Sequence, residues 1–226
     1  MDPRLFFESE LQKATTAKTL AQSHFNKLAT FRLTSFVGSL AGLWIWNSTN
    51  ESFALLAAGI LLIVFLVLMK KQQRAKKERD FQRNLCLIYQ DELARLEYRF
   101  LRPETGTQFQ EKNHPFASDL DIFGDYSLFR LLNRTRTSEG AQRLAKWLKR
   151  LSPLDDILMR QEASVELKKN PEFIQDWEAT ALLHEHADQQ VAVFRDWAAE
   201  ELDENLKSSF KWRYFSIVTC VVLAIV

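Results

Sequence analysis

Glycine is scarce in this chain. There are six in 226 residues, at positions 38, 42, 59, 106, 124 and 140. None opens a G-x-x-x-x-G-K-[ST] run, whose backbone N–H groups and lysine would hold nucleotide phosphates. Cysteine is scarcer still. Cys86 and Cys220 offer neither metal-ligand spacing nor a disulfide framework, and both lie in apolar runs where packing explains them. His184 and His186 stand too close together for the zinc H-E-x-x-H arrangement, which needs two histidines on one helical face; His24 and His114 stand alone. Asp155 and Asp156 are explained by a helix N-terminus. No nucleophile, base and orienting group assemble, so no catalytic, cofactor-binding or metal-ligating residue is expected here. An excess of one charge is missing too. The net charge is +1, which gives no global pull on nucleic acid. No cleavable signal peptide is apparent in the polar first thirty or so residues.

What the chain does have is apolar length. Leu33 to Trp46 is somewhat short of a bilayer span, and Phe53 to Met69 is close to one. Only Asn47–Ser52 separates them. Phe53–Met69 contains no polar residue, which argues against a buried hairpin of a soluble core. Lys27 and Arg32 precede the pair; Lys70, Lys71, Arg74, Lys76, Lys77 and Arg79 follow it; the connecting loop has no Lys or Arg. By the positive-inside rule both ends are cytoplasmic, giving a multi-pass membrane protein with its N-terminus and later domain in the cytoplasm. Lys211 and Arg213, before a third apolar run, agree. Trp44 and Trp46 sit where interfacial anchors belong. The Lys70–Arg79 cluster fits topology and contact with anionic lipid; DNA contact is the weaker reading. Gly38 and Gly42 form a small-xxx-small pair suited to close helix packing, or are ordinary glycines of a membrane helix.

The flanks read as helical arms. Phe7, Leu11, Ala14, Ala21, Phe25 and Leu28 follow spacings of four and three, broken only by Lys18. Phe81, Leu85, Ile88, Leu93, Leu96 and Phe100 mark a less regular stripe. Arms of this length predict an antiparallel stalk reaching roughly 45 Å from the membrane, at about 1.5 Å per residue. The expected divisions are an N-terminal cytoplasmic helix (1–32), a transmembrane hairpin (33–69), a basic juxtamembrane helix (70–102) and a linker (103–118) signalled by Pro103 and Gly106.

From 119 to 213 the pattern is of short punctuated helices. Ser127 is placed to cap one carrying Leu128, Leu131 and Leu132. Asn133–Thr137 is polar and interrupts. A second helix spaces Ala141, Leu144, Ala145 and Leu148 on one face. Ser152-Pro153 predicts a cap and first-turn proline for a third, with Leu154, Ile157, Leu158 and Val165 inward. Asn170-Pro171 opens a fourth, with Phe173, Ile174 and Trp177 on its apolar side. Leu144, Leu148, Leu154 and Ile157 are the expected core, and Lys149 an exposed position.

The run Asp121-Ile-Phe-Gly-Asp-Tyr-Ser-Leu-Phe-Arg-Leu-Leu-Asn-Arg-Thr-Arg-Thr-Ser-Glu-Gly140 resembles the start of the core, or lever, domain of the MutS family of DNA mismatch-repair ATPases. The likeness continues through Leu144, Trp147-Leu148, Pro153-Leu154 and Arg160–Leu167, and covers roughly a quarter of the chain. Together with the apolar segments it gives the expected all-α chain: a transmembrane hairpin with long arms, a MutS-core-like helical domain (119–213) and the start of a third membrane helix (214–226). It also implies a clamp-forming homodimer that meets DNA and is driven by ATP and Mg. The ATPase domain would lie beyond this chain, whose own residues hold no cofactor. The apolar run 214–226, short of spanning length, fits the N-terminal part of a longer protein. Phe6-Phe7-Glu8 matches the family's mismatch-reading triplet by letter only, without the surrounding sequence. The hairpin stands where mismatch-reading and connector domains are usual, which puts mismatch recognition in doubt. Arg134, Arg136, Arg143, Lys146 and Arg150 give the core segment a basic face, suited either to phosphates or to plain solvation. The function implied is the membrane-anchored portion of a MutS-like DNA-binding ATPase. The rival is a non-enzymatic membrane scaffold using the same helical domain for interaction.

Overall fold

The computed structural model describes residues 2–112, 114–184, 193–194 and 196–199. The described residues are mainly helical, with no strand among them. Two units divide the chain, Met1–Glu185 and His186–Val226. In the second, residues 193–194 and 196–199 are helical, and the Phe194 and Trp197 rings lie 5.6 Å apart. The apolar run 214–226 lies outside the described residues, and so do Glu185 and His186.

The first unit is built on two long helices, α1 (Pro3–Thr49) and α2 (Ser52–Arg95), packed antiparallel. Asp2 caps α1 by accepting from the Arg4 N–H at 2.9 Å, with Pro3 in the first turn. Only Asn50 and Glu51 lie between the helices, fewer than the loop expected at 47–52. Asn50 takes the left-handed conformation (φ 58°) and its N–H closes on Trp46 O at 2.7 Å, a helix-terminating geometry. From Phe7 to Gly42 every α1 position spaced alternately four and three apart, Lys18 included, is buried or half-buried. From Ala54 to Tyr89 the same alternation holds on α2. A period of 3.5 residues is the signature of a left-handed coiled coil. Membrane-grade and polar segments are therefore one continuous hairpin rather than separate arms and spans.

The hairpin's upper part is apolar outside and small inside. Ser35, Ser39, Ala54 and Ala58 are buried, whereas Leu33, Val37, Trp44, Phe53, Leu56 and Ile63 are exposed. A Cβ on Gly42 would stand 3.1 Å from the Ala58 Cβ, so glycine sets the close approach. Ser39 Oγ donates to Ala58 O at 3.0 Å. Both helices are long and apolar enough to cross a membrane.

α2 carries two buried faces lower down. One faces α1. The other presents Leu85 and Ile88 to Ala179 and Leu182 of α6 (Pro171–Leu182), where Asn84 Nδ2 also donates to Ala179 O at 3.1 Å. The sequence stripe Phe81–Leu85–Ile88 belongs to this second face, which is why it looked irregular as one seam. α2 ends at Arg95 rather than near Phe100.

The expected linker, 103–118, packs through its phenylalanines. Phe109, on a 3₁₀ turn (Thr107–Phe109), and Phe116 pack with Ala117, Ile122, Phe123, Phe129 and Ala145 in a second core. His114 pins this segment: its Nδ1 accepts from the Phe116 and Ala117 N–H groups (3.4 and 3.2 Å), leaving Nε2–H to donate to Lys149 O at 3.0 Å. α3 (Leu128–Leu132) is capped by Ser127 as expected, and α4 (Ser138–Lys149) by Thr137. Leu144 and Leu148 of α4 join the second core.

The remaining expectations need correction. In α5 (Leu154–Lys168) no residue is fully buried; Leu154, Leu158 and Val165 are exposed and Ile157 is half-buried. Its cap position is Pro153, while Ser152 instead accepts from Arg160 at 3.1 Å. In α6 the inward face is Gln175, Glu178 and Ala179; Phe173 and Trp177 point to solvent with their rings 6.1 Å apart. Lys149 is not free. Its Nζ donates to Phe109 O (3.1 Å) and meets Glu111 Oε1 (2.5 Å).

Candidate functional site

The polar run between α3 and α4 folds back onto the foot of the hairpin. Arg95, the last residue of α2, is buried and directs its fork into the end of α3. Nη1 donates to the carbonyls of Arg130 and Leu131 (2.9 Å to the latter), and Nη2 to Asn133 O at 3.0 Å. Its Nε and Nη2 also hold Asp91 Oδ2 at 3.0 and 2.8 Å. The C-terminal carbonyls of a short helix are thus satisfied by a cation rather than by further helix. Arg102 adds bonds to Asn133 O and Thr135 O (3.1 and 2.8 Å), and Arg130 returns to the carbonyls of Phe100 and Arg102. Asn133 Oδ1 accepts from both Thr135 N–H and Thr135 Oγ1, shaping the turn that leads into α4.

Two of the five basic residues singled out in the sequence belong to this clasp. Arg134 makes a two-pronged pair with Glu92 of α2, at 2.7 and 2.6 Å. Arg136 pairs with Glu178 of α6 at 2.7 Å, with both side chains largely buried. The clasp therefore joins α2, α3 and α6. Arg136 is enclosed in it, while Arg134 keeps 40% side-chain exposure with its charge matched by Glu92.

Burial raises the Glu178 carboxyl above its ordinary 4.5, against the pull of Arg136 and then Arg102, with Glu92 adding a smaller upward push. The folded form thus keeps a proton on Glu178 over a pH range where the unfolded chain has lost it. That contribution to stability falls as pH rises from about 4.5 to the higher folded value. Glu178→Gln is expected to abolish that part of the pH dependence. Unfolding followed between about pH 4 and 7 should show the variant gaining on the wild type as pH rises; a constant gap would count against burial as the governing effect.

The other three residues lie elsewhere. Arg143, Lys146 and Arg150, at helical spacings of three and four, line an open groove of about 630 Å³ between α4 and the start of α5. Trp147, Ser152, Asp156 and Arg160 share it. Arg160 stacks on the Trp147 ring, 4.3 Å from its centroid, and lies 3.7 Å from Asp156. Arg143, Lys146 and Arg150 have no ion-pair partner among the described residues. The expected basic face is thus split: two arginines are spent on structure, and three cations remain beside an aromatic ring. Such a groove suits a phosphate-bearing strand. Trp147 and Arg160, not singled out as site residues, complete it; their place on the two helices that flank Ser152-Pro153 was the available signal. Among the described residues no group of His, Cys, Asp and Glu could hold a metal ion.

Compared with protein-family models, curated proteins and solved structures, the chain matches none.

Proposed function

We propose that this chain is the membrane-anchoring and lever portion of a MutS-like, DNA-engaging ATPase whose nucleotide-binding domain follows on later sequence. The observation that carries the reading is the clasp. The run resembling the MutS lever, Asp121–Gly140, is tied to the foot of the coiled coil through Arg95 and Arg134 and to α6 through Arg136. Force on α4 would therefore be passed into the stalk. The inside-out apolar section supports insertion into a bilayer, and the basic flanks support a cytoplasmic foot with Asn50-Glu51 on the far side. ATP and Mg would act in the later domain. The groove of Arg143, Lys146 and Arg150 would meet the DNA backbone, and a homodimer would complete the clamp. Recognition of mismatches is not part of this proposal, because the hairpin occupies the place of the domains that read them.

The test is the natural full-length gene product in lipid nanodiscs. Hydrolysis of ATP together with salt-sensitive DNA binding is expected. The triple variant Arg143→Gln/Lys146→Gln/Arg150→Gln should weaken that binding and lower its salt slope by about 2–3, roughly 0.9 per lost phosphate contact. In cells, an impermeant thiol reagent should label Ser48→Cys and spare Ser118→Cys. A gene product with neither hydrolysis nor DNA binding would leave the scaffold reading.

A further inference from the structure

We infer that the hairpin carries a cationic collar, contributed by both helices, that binds anionic lipid headgroups and fixes the depth of insertion. The inference rests on the membrane reading above. Three contacts fix the register between α1 and α2. They are Ser39 Oγ to Ala58 O, the tilted contact of the Phe36 and Phe65 rings (5.3 Å), and Arg79 over the Phe25 ring (4.7 Å). That register brings Lys27 and Arg32 of α1 level with the Lys70–Lys77 segment of α2. Residues 24–32 and 70–77 together hold seven Lys or Arg and no Asp or Glu. The whole chain balances at +1, so this is a concentrated field and not a general surplus.

The placement selects the occupant. The collar begins at Lys70, directly below the exposed apolar section that ends at Met69. Lys70, Lys71, Arg74, Lys76 and Lys77 are exposed, and none of them has an ion-pair partner among the described residues. About 1.5 Å per residue spreads 70–77 over roughly 10 Å, enough to run through one headgroup layer of about 5–8 Å and reach the water beyond it. On α1 a shallow groove of about 530 Å³ beside Lys27 is lined by Thr19, Gln22, Ser23, Asn26 and Thr30; the two threonine hydroxyls donate to backbone carbonyls, and Gln22, Ser23 and Asn26 keep donors that suit a phosphate. The first acids appear only below, at Glu78 and Asp80, and Asp80 is already held by Arg79 at 2.6 Å. A surface of one sign, at headgroup depth and on both helices, is complementary to an anionic leaflet.

The experiment reconstitutes the full chain in nanodiscs of phosphatidylcholine alone and of phosphatidylcholine with equal phosphatidylglycerol. Wild type is compared with Lys70→Gln/Lys71→Gln/Arg74→Gln/Lys77→Gln. These positions are exposed, so the variant keeps the coiled-coil seam. The wild type is expected to unfold about 5 °C higher in the anionic discs, as for a ligand that binds only the folded state, and the variant to show no such shift. Equal melting of the wild type in both discs would overturn the collar while leaving the membrane reading intact. Failure of the wild type to enter either disc would overturn the membrane reading itself. A variant that kept the lipid response but lost binding to duplex DNA would assign these cations to nucleic acid and also overturn the inference.

Discussion

Arg95→Ala should cost the first unit about 3–5 kcal/mol, the range for removing one partner of a buried ion pair. Both members are nearly inaccessible, at 4% exposure for the Arg95 side chain and 8% for Asp91. Truncation leaves the Asp91 carboxylate without its cation and strips donors from the carbonyls of Arg130, Leu131 and Asn133. Asp91 Oδ1 already lacks a partner, so nothing nearby stands ready to compensate. Arg95→Lys should recover little, because an ammonium group cannot serve a carboxylate and three carbonyls from one planar fork. The control is Arg99→Ala, whose side chain is 67% exposed and touches Glu97 on the surface; it should shift stability by no more than about 0.5 kcal/mol. Urea unfolding of the chain in nanodiscs separates the outcomes. If Arg95→Ala and Arg99→Ala unfold together, the clasp does not hold the foot of the hairpin, and the mechanical part of the proposed function goes with it.

The hairpin was legible because it depends on local period and composition. Spacings of four and three from Phe7 to Leu28 are the seam that the structure shows, and Lys18, apparently a break, is a half-buried seam position. A long aliphatic stem lets lysine occupy such a site while its ammonium reaches water. α2 was harder, because it serves two partners at once. Two overlapping stripes on one helix blur each other, and the face toward α6 was the one that periodicity found.

The clasp was illegible for a different reason. Sequence reports that Arg134 and Arg136 are cations, and cations are usually solvated. It does not report that the chain returns them to Glu92 and Glu178, far away along the sequence. Those two carboxylates also explain the reversal of α6. The apolar Phe173 and Trp177 looked like its inner face, yet Glu178 turns inward because Arg136 waits there. Likewise the segment after Pro103 carries linker punctuation, and its two phenylalanines, Phe109 and Phe116, were the overlooked sign that it packs.

Phe129→Ala should be the most damaging change in the second core, at about 3–5 kcal/mol. Phe129 is fully buried, at 0% exposure, and its ring lies 5.8 Å from that of Phe109 and 5.7 Å from that of Phe123. Gly106 shows how tightly the ring is enclosed. It sits at φ +73°, and a Cβ there would come within 2.6 Å of Phe129 Cδ1. Removing the ring would open a cavity that this left-handed turn cannot close without moving its own backbone. Leu154, expected in the core where Phe129 was not, is 68% exposed and has little burial to lose. Leu154→Ala should therefore stay within about 0.5 kcal/mol of the wild type. Phe129 also lies one residue before Arg130, whose carbonyl the Arg95 fork holds, so the aromatic core and the clasp share one short helix. Loss of the ring should loosen both together. Hydrogen exchange at the Asn133 amide, which bonds to Phe129 O at 2.8 Å, reads that coupling. Faster exchange there in Phe129→Ala, with Leu154→Ala unchanged, is the expected result. Equal exchange in the two variants would separate the core from the clasp.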